Sequence, residues 1–406
     1  MSTAHLTNLD LSAPRVVKTI MRRALVVGAI ASVIALALGF SNPTVFFRGY
    51  LLSFMDWLAV CLGSMVILII RHLTGGGWGM VIRRVLGAAM RTLPLLAVLF
   101  LPIAFLAVPK LYPWAMPFES IQDPRIREHL AHNKFVTSGY LHWHGFVFRA
   151  AIYFAIWELL VFLLTKWSTQ QDTPPVRDNS ARFKAVSGPG LILLAFTVSF
   201  AAIDWVMSLD PSWISTIYGL LFVAGELLAG LCFAVVVERI LFKYKPMSLL
   251  LRPNFVHDHG KFMLTFVMVW AYFSFSQWII IWSGNLPEEI TWYVRRLNGG
   301  WGFVGAFLVL FHFAVPFVIL LSRSFKRDVT KLVYLAGWLL FMRYVDLFWI
   351  IEPNFSATFS VTWADLVIPF AMGGLWIAYF CYHLSSLPLL PAYDVYAKQV
   401  LEPEHE

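Results

Sequence analysis

Ionisable side chains stand inside, or at the ends of, runs apolar enough to cross a bilayer: Asp56, Arg149, Glu158, Asp204, Glu226, His312, Arg343, Asp346 and, at the outer end of the last run, Asp365. A charge at mid-bilayer costs about 2.5–3.5 kcal/mol on insertion scales, so each of these groups must face a partner or water. A series of carboxylates exchanging protons with water or with one another conducts protons part of the way across a membrane. That chemistry makes these residues proton-path candidates. Simple ion pairing is the competing use, and Arg343 with Asp346, three residues apart on one helical face, fits it well. Glu158 and Glu226 have no cation within a turn of their own helix, which leaves them freer to hold protons. His312, alone on a Phe-rich segment, is more often a hydrogen-bonded core residue.

Other chemistries find less support. A membrane b-type haem needs paired axial ligands buried in helices, and only His312 is deep within a run. His142 and His144, in Tyr140-Leu141-His142-Trp143-His144 with Arg149 just beyond, could line a quinone head-group pocket; interfacial anchoring is the plainer alternative. His257, Asp258 and His259 lack further ligands nearby and are read as a solvated turn in a basic loop, so no metal site is expected. Cys61, Cys232 and Cys381 lie in or at the end of apolar runs with no CxxC or CxxCH, which excludes a disulfide framework and a covalently attached c-type haem. No phosphate-binding loop, nucleophile elbow or HExxH occurs, so no catalytic residues are assigned.

The elements that must carry these groups are membrane helices. With 59% hydrophobic and 13% charged residues, the chain departs from soluble composition. A helix needs roughly 20 apolar residues to span about 30 Å of hydrocarbon, and such runs recur along the whole chain. Ten are expected, at 24–43, 50–71, 90–108, 144–165, 188–207, 214–237, 261–282, 302–321, 331–351 and 363–383. All must be helical, because lipid offers the backbone no other partner. The first run, preceded by Arg22 and Arg23, reads as a retained helix rather than a signal peptide. The chain is thus expected to be one integral membrane domain over 1–406, with short terminal segments at 1–23 and 384–406.

The net charge of +8 is dispersed between apolar runs, which argues against nucleic acid and for a topology signal. Of the Lys and Arg residues, 22 fall in one alternating set of segments and seven in the other, so both termini are expected to be cytoplasmic. Between the runs, 109–143 is expected to cap the outer side. Pro287, followed by Glu288 and Glu289, marks the start of a short surface helix. Pro316 is the central kink candidate. Gly75-Gly76-Gly77-Trp78 and Gly299-Gly300-Trp301 read as turns, and the acidic tail Leu401–Glu406 as a solvated end.

Three stretches carry a family resemblance. They are Arg71-His72-Leu73-Thr74-Gly75-Gly76-Gly77-Trp78 through Arg91-Thr92-Leu93-Pro94; Asp204-Trp205-Val206-Met207-Ser208-Leu209-Asp210-Pro211-Ser212-Trp213; and Phe275-Ser276-Gln277-Trp278 through Gly284-Asn285-Leu286-Pro287-Glu288-Glu289-Ile290-Thr291-Trp292-Tyr293. Together they resemble the polysulfide-reductase-type (NrfD-like) membrane subunits, in particular the smaller, F subunit of bacterial alternative complex III, and the likeness runs over essentially the whole chain. The resemblance implies an all-α polytopic fold of two four-helix bundles plus extra helices, in the bacterial inner membrane. It also implies a subunit of a quinol:cytochrome c (or other acceptor) oxidoreductase that serves respiratory or photosynthetic electron transport. Its partners would be a larger NrfD-like membrane subunit together with iron–sulfur and multihaem cytochrome c subunits, which hold the haem and iron–sulfur clusters. This chain would bind no cofactor covalently and contribute proton translocation, with quinone or menaquinone as a possible ligand. A purely structural assembly subunit and a free-standing secondary transporter are the alternatives.

Overall fold

The computed structural model describes residues 10–133, 139–395 and 397. Lys134 and Lys398, both counted for orientation, and the acidic tail Leu401–Glu406 lie outside the described residues. Ten helices are long and apolar enough to span a membrane: α1 Arg15–Ser41, α2 Pro43–Thr74, α3 Gly77–Leu111, α4 Trp143–Asp172, α5 Ser180–Leu209, α6 Tyr218–Leu241, α7 Pro253–Gly284, α8 Trp301–Leu321, α9 Val329–Asn354 and α10 Trp363–Ser385. Each overlaps one of the apolar runs, and the described residues contain no β-strand beyond an isolated bridge between Arg177 and Asp394.

Packing follows chain order. Helices α2–α5 pack against one another as one bundle and α6–α9 as a second, while α1 and α10 pair together and lie against α2. The bundles meet mainly where α2 crosses α6. Lipid tails supply no hydrophobic drive between helices, so close van der Waals approach must hold such a crossing, and small residues permit it. Gly63 and Gly230 do so here: a β-carbon at Gly63 would sit 1.7 Å from the Glu226 carbonyl oxygen, and one at Gly230 2.4 Å from the Gly63 carbonyl carbon. Helices α2 and α6 are mostly buried, whereas α1, α7 and α8 expose much of their apolar surface, as lipid-facing helices do.

Two helices are locally widened to π geometry, Ile103–Ala107 in α3 and Val309–Ala314 in α8. Pro109 follows the first and Pro316 the second. A proline ring removes one helical N–H and crowds the preceding turn, and a π-bulge accommodates the misfit. At Pro316, the kink candidate, the structure shows a π-bulge with His312 inside it, and the α3 bulge is a second that the apolar pattern does not reveal.

Two boundaries differ from expectation. Helix α3 starts at Gly77 rather than near residue 90, so Arg83 and Arg84 lie buried on a helix and not in a loop. Arg83 pairs with Asp394 and donates to Gln171 (2.7 Å), and Arg84 pairs with Asp172. Helix α7 starts at Pro253, so His257, Asp258 and His259 are helical and His259 is fully buried. The solvated-turn reading of that triplet is corrected.

Short helices cap the end of the bundle where α5 and α7 finish. Asp123 caps the helix Pro124–His132, and the helix Pro287–Leu297 places Glu288 and Glu289 in its first turn and Arg295 and Arg296 in its last, as the helix dipole favours. Arg295 donates to Asp123 (2.9 Å) and Arg125 to Asp210 (2.9 Å), which ties the two short helices to the segment after α5. Trp213 stacks on Trp292 with ring centroids 4.9 Å apart and donates to the Glu289 carbonyl (3.1 Å). Trp292 is buried beneath the cap rather than set at the lipid interface.

Candidate functional site

Helices α7 and α8 touch through the stretch Val315–Leu321 and the π segment but part toward the start of α8, where Trp301–Leu308 makes little contact with α7. The gap is a cavity of about 710 Å³, within the size range of small-molecule sites. The helix Pro287–Leu297 roofs it through Trp292, Tyr293 and Leu297. Exposed Tyr272, Phe275 and Val309 form its rim, so it opens sideways onto the lipid-facing surface.

The wall is largely aromatic, with a few polar groups directed inward. Gln277 donates to the Tyr293 hydroxyl (3.4 Å) and accepts from Ser215 (3.2 Å). Ser274 Oγ is buried without a hydrogen-bond partner. At the far wall Asp346 accepts from Arg343 Nη1 (2.6 Å) and Trp270 Nε1 (3.2 Å). Trp270 stacks on His312 with ring centroids 4.1 Å apart.

Behind Asp346 the sequence-derived candidates converge. The Arg343 guanidinium lies against Gly225, where a β-carbon would be 2.2 Å from Nη1, and Arg343 is the cation within electrostatic reach of Asp56 and Glu226. His312 feels both Arg343 and Asp346. Asp56 on α2, Glu226 on α6, His312 on α8, and Arg343 with Asp346 on α9 thus form one cluster. Glu226 Oε2 and Arg343 Nη2 are buried without hydrogen-bond partners. One guanidinium neutralises one carboxylate, so a cluster with three carboxylates has spare sites for protons or water.

The remaining candidates divide. Asp204 is fully committed: it accepts from Arg149 Nε (2.8 Å) and Nη2 (3.0 Å) and from the Tyr153 hydroxyl (2.8 Å), a bidentate pair that locks α4 to α5. Asp365 closes a capping box, accepting from the Thr362 backbone N–H and hydroxyl at 2.7 Å each. Glu158 is half-buried on α4 within electrostatic reach of Cys61, which Glu226 also reaches. No hydrogen bond among the described residues joins Glu158 to the Arg343 cluster. His142 and Arg149 meet against Gly145, and Arg149 also lies 3.9 Å from the Tyr140 ring centroid, whereas His144 is exposed. None of the three lines the large cavity.

Sequence reasoning missed several buried pairs. Glu352, at the end of α9, pairs with Arg48, which had been counted as a plain outer cation. Glu238 pairs with His259 Nδ1 (2.9 Å), whose Nε2 faces the Trp78 carbonyl (2.9 Å). A carbonyl only accepts, so Nε2 carries hydrogen and the remaining proton lies between Nδ1 and Glu238. Both carboxylates sit near the ends of apolar runs, and Glu238 adjoins Arg239, where charge reads as solvated. The cavity left only a faint signal, the aromatic-rich 270–278 stretch.

Outside the spans, Asp210 is buried, which alone would raise its pKa; Arg125, Ser212 and Arg295 outweigh that and hold it below the ordinary carboxylate range. Arg296, buried under the cap with its guanidinium 3.6 Å from the Trp292 ring centroid, is pushed down to about 9 by desolvation. No group of three metal-ligating side chains is present among the described residues. No protein-family model and no curated protein matches the chain. The fold and site define a multi-pass helical membrane protein with a lipid-facing cavity backed by buried charge.

Proposed function

We propose that this chain is a membrane subunit of a quinol-oxidising electron-transfer complex of the alternative complex III kind, set in the bacterial inner membrane with both termini cytoplasmic. It contributes a proton path and a quinone pocket, and electrons travel through haem and iron–sulfur centres on partner subunits. One observation carries the reading: the cavity between α7 and α8 opens to lipid and ends on Asp346, which is bonded to Arg343, the guanidinium within electrostatic reach of Glu226 and Asp56. An isoprenoid quinone reaches its site from within the bilayer, so a sideways mouth with an aromatic lining suits it. Unbonded Ser274 Oγ, the Gln277 amide and the Tyr293 hydroxyl supply the polar contacts that a quinone ring needs.

When bound, a quinol would supply two protons and two electrons. The protein's part is then to place an acceptor and a relay: Asp346 takes a proton at Oδ1, since Oδ2 accepts from Arg343 and Trp270, Arg343 stabilises the carboxylate charge, and Glu226 and Asp56 pass the proton on by trading it with water.

The test is quinol-driven proton release by the reconstituted complex in vesicles, with Glu226→Gln and Asp346→Asn compared with the parent. We expect proton transfer to slow by roughly 10²-fold or more while the complex remains assembled. Unchanged coupling together with weakened assembly would instead identify a scaffold whose charges only join helices.

A further inference from the structure

At the Arg-rich end of the molecule a second, small cavity lies between α3, α4 and α10, lined by Arg84, Gly87, Arg91, Thr165, Ser168 and His383. Arg84, Gly87 and Arg91 recur at helical spacing on α3, so one face of its first half looks into the cavity. Arg83 and Arg84 are matched by Asp394 and Asp172. Arg91 has no ion-pair partner among the described residues, and its Nη1 is buried without a hydrogen bond. Thr165 Oγ1 and Arg84 Nε are likewise buried and unbonded. His383 is 8% exposed. A β-carbon on Gly87 would meet nothing within 4 Å, so the helix leaves a cradle there. Buried donors without acceptors are costly, and this set offers one surplus positive charge with a hydroxyl beside it. The enclosed volume, about 20 Å³, has room for about one oxygen atom of a ligand.

We propose that this cavity takes one oxygen of a phosphate group, with Arg91 Nη1, Arg84 Nε and Thr165 Oγ1 as the donors around it and Gly87 as its floor. The site lies where basic segments border the membrane, and basic pockets between helices at that level hold anionic lipid head groups. The phosphodiester of an anionic lipid enters with one non-bridging oxygen in the cradle, the rest of the head group at its mouth and the acyl chains along the bundle. The site is independent of the quinol reading, because it shares no residue with the α7–α8 cavity.

The test uses the full-length protein in nanodiscs of phosphatidylcholine containing either phosphatidylglycerol or no anionic lipid, with bound lipid counted by native mass spectrometry. Arg91→Gln removes the unmatched charge. Gly87→Leu fills the cradle, keeps every polar group and points into open space, so it preserves the fold. Arg91→Gln is expected to retain phosphatidylglycerol roughly fivefold less, about the effect of losing one cation near a membrane surface, and Gly87→Leu to lower retention by filling the space, both while keeping phosphatidylcholine unchanged. A further arm adds inorganic phosphate. Displacement of phosphatidylglycerol from the parent by millimolar phosphate would show that the cradle reads the phosphate itself. Equal retention of phosphatidylglycerol by the parent and both variants would overturn the proposal, as would equal loss of the neutral lipid.

Discussion

Among the described residues Arg343 makes one side-chain hydrogen bond, to Asp346, yet Asp56 and Glu226 also lie within its electrostatic reach. Breaking a buried pair by removing one partner costs about 3–5 kcal/mol, because the other charge is left unmatched. Arg343→Leu is therefore expected to lower the melting temperature in detergent sharply. The double variant Arg343→Leu/Asp346→Leu should melt above the single one, since the pair is removed together. Ser274→Ala makes the opposite point. Its hydroxyl is in no hydrogen bond, so stability should hold, while a quinone analogue that quenches Trp270 fluorescence should bind less tightly by about 1 kcal/mol. Residue-scale legibility follows reach along the chain. Arg343 and Asp346 could be paired from sequence because three residues on a helix fix their separation. Arg149 could not be assigned to Asp204, since their meeting depends on how α4 crosses α5.

Element boundaries were visible wherever apolarity alone set them, and obscured wherever charge was matched from afar. The first half of α3 reads as loop because Arg83 and Arg84 interrupt the apolar run, whereas their partners Asp394 and Asp172 stand far off in sequence. The cap helix at Pro287 was legible because proline and acidic first-turn residues mark a helix start within a few positions. Its docking rests on Asp210. The Asp210 carboxyl has a depressed pKa in the folded cap, so the stability it lends is present above the unfolded value near 4 and is lost as pH falls through the folded value. Proteolysis within 285–300 should hence stay slow at neutral pH and quicken only in strong acid, while Asp210→Asn should quicken it already at neutral pH. Gly63→Leu should be far more damaging than Gly337→Leu, because a β-carbon at Gly63 would strike the α6 backbone whereas one at Gly337 would meet nothing within 4 Å. Yield of folded protein after solubilisation measures the difference.

At the scale of the whole molecule, the alternation of basic and less basic loops predicts the orientation, and the three native cysteines are buried, so single surface cysteines can report it. A cysteine at Ser322 should react with a membrane-impermeant reagent only in inverted vesicles, and one at Asn298 only in right-side-out cells. The crossing of α2 over α6 bears on transport as well. Two backbones in direct contact through Gly63 and Gly230, with buried charge a turn or two away at Glu226 and Asp56, form a close seam between the two bundles. A seesaw of one half of the protein against the other would have to pull that seam apart. The proposed function asks for no such rocking, since protons passed between stationary groups and lipophilic molecules that enter and leave from the side leave the seam closed.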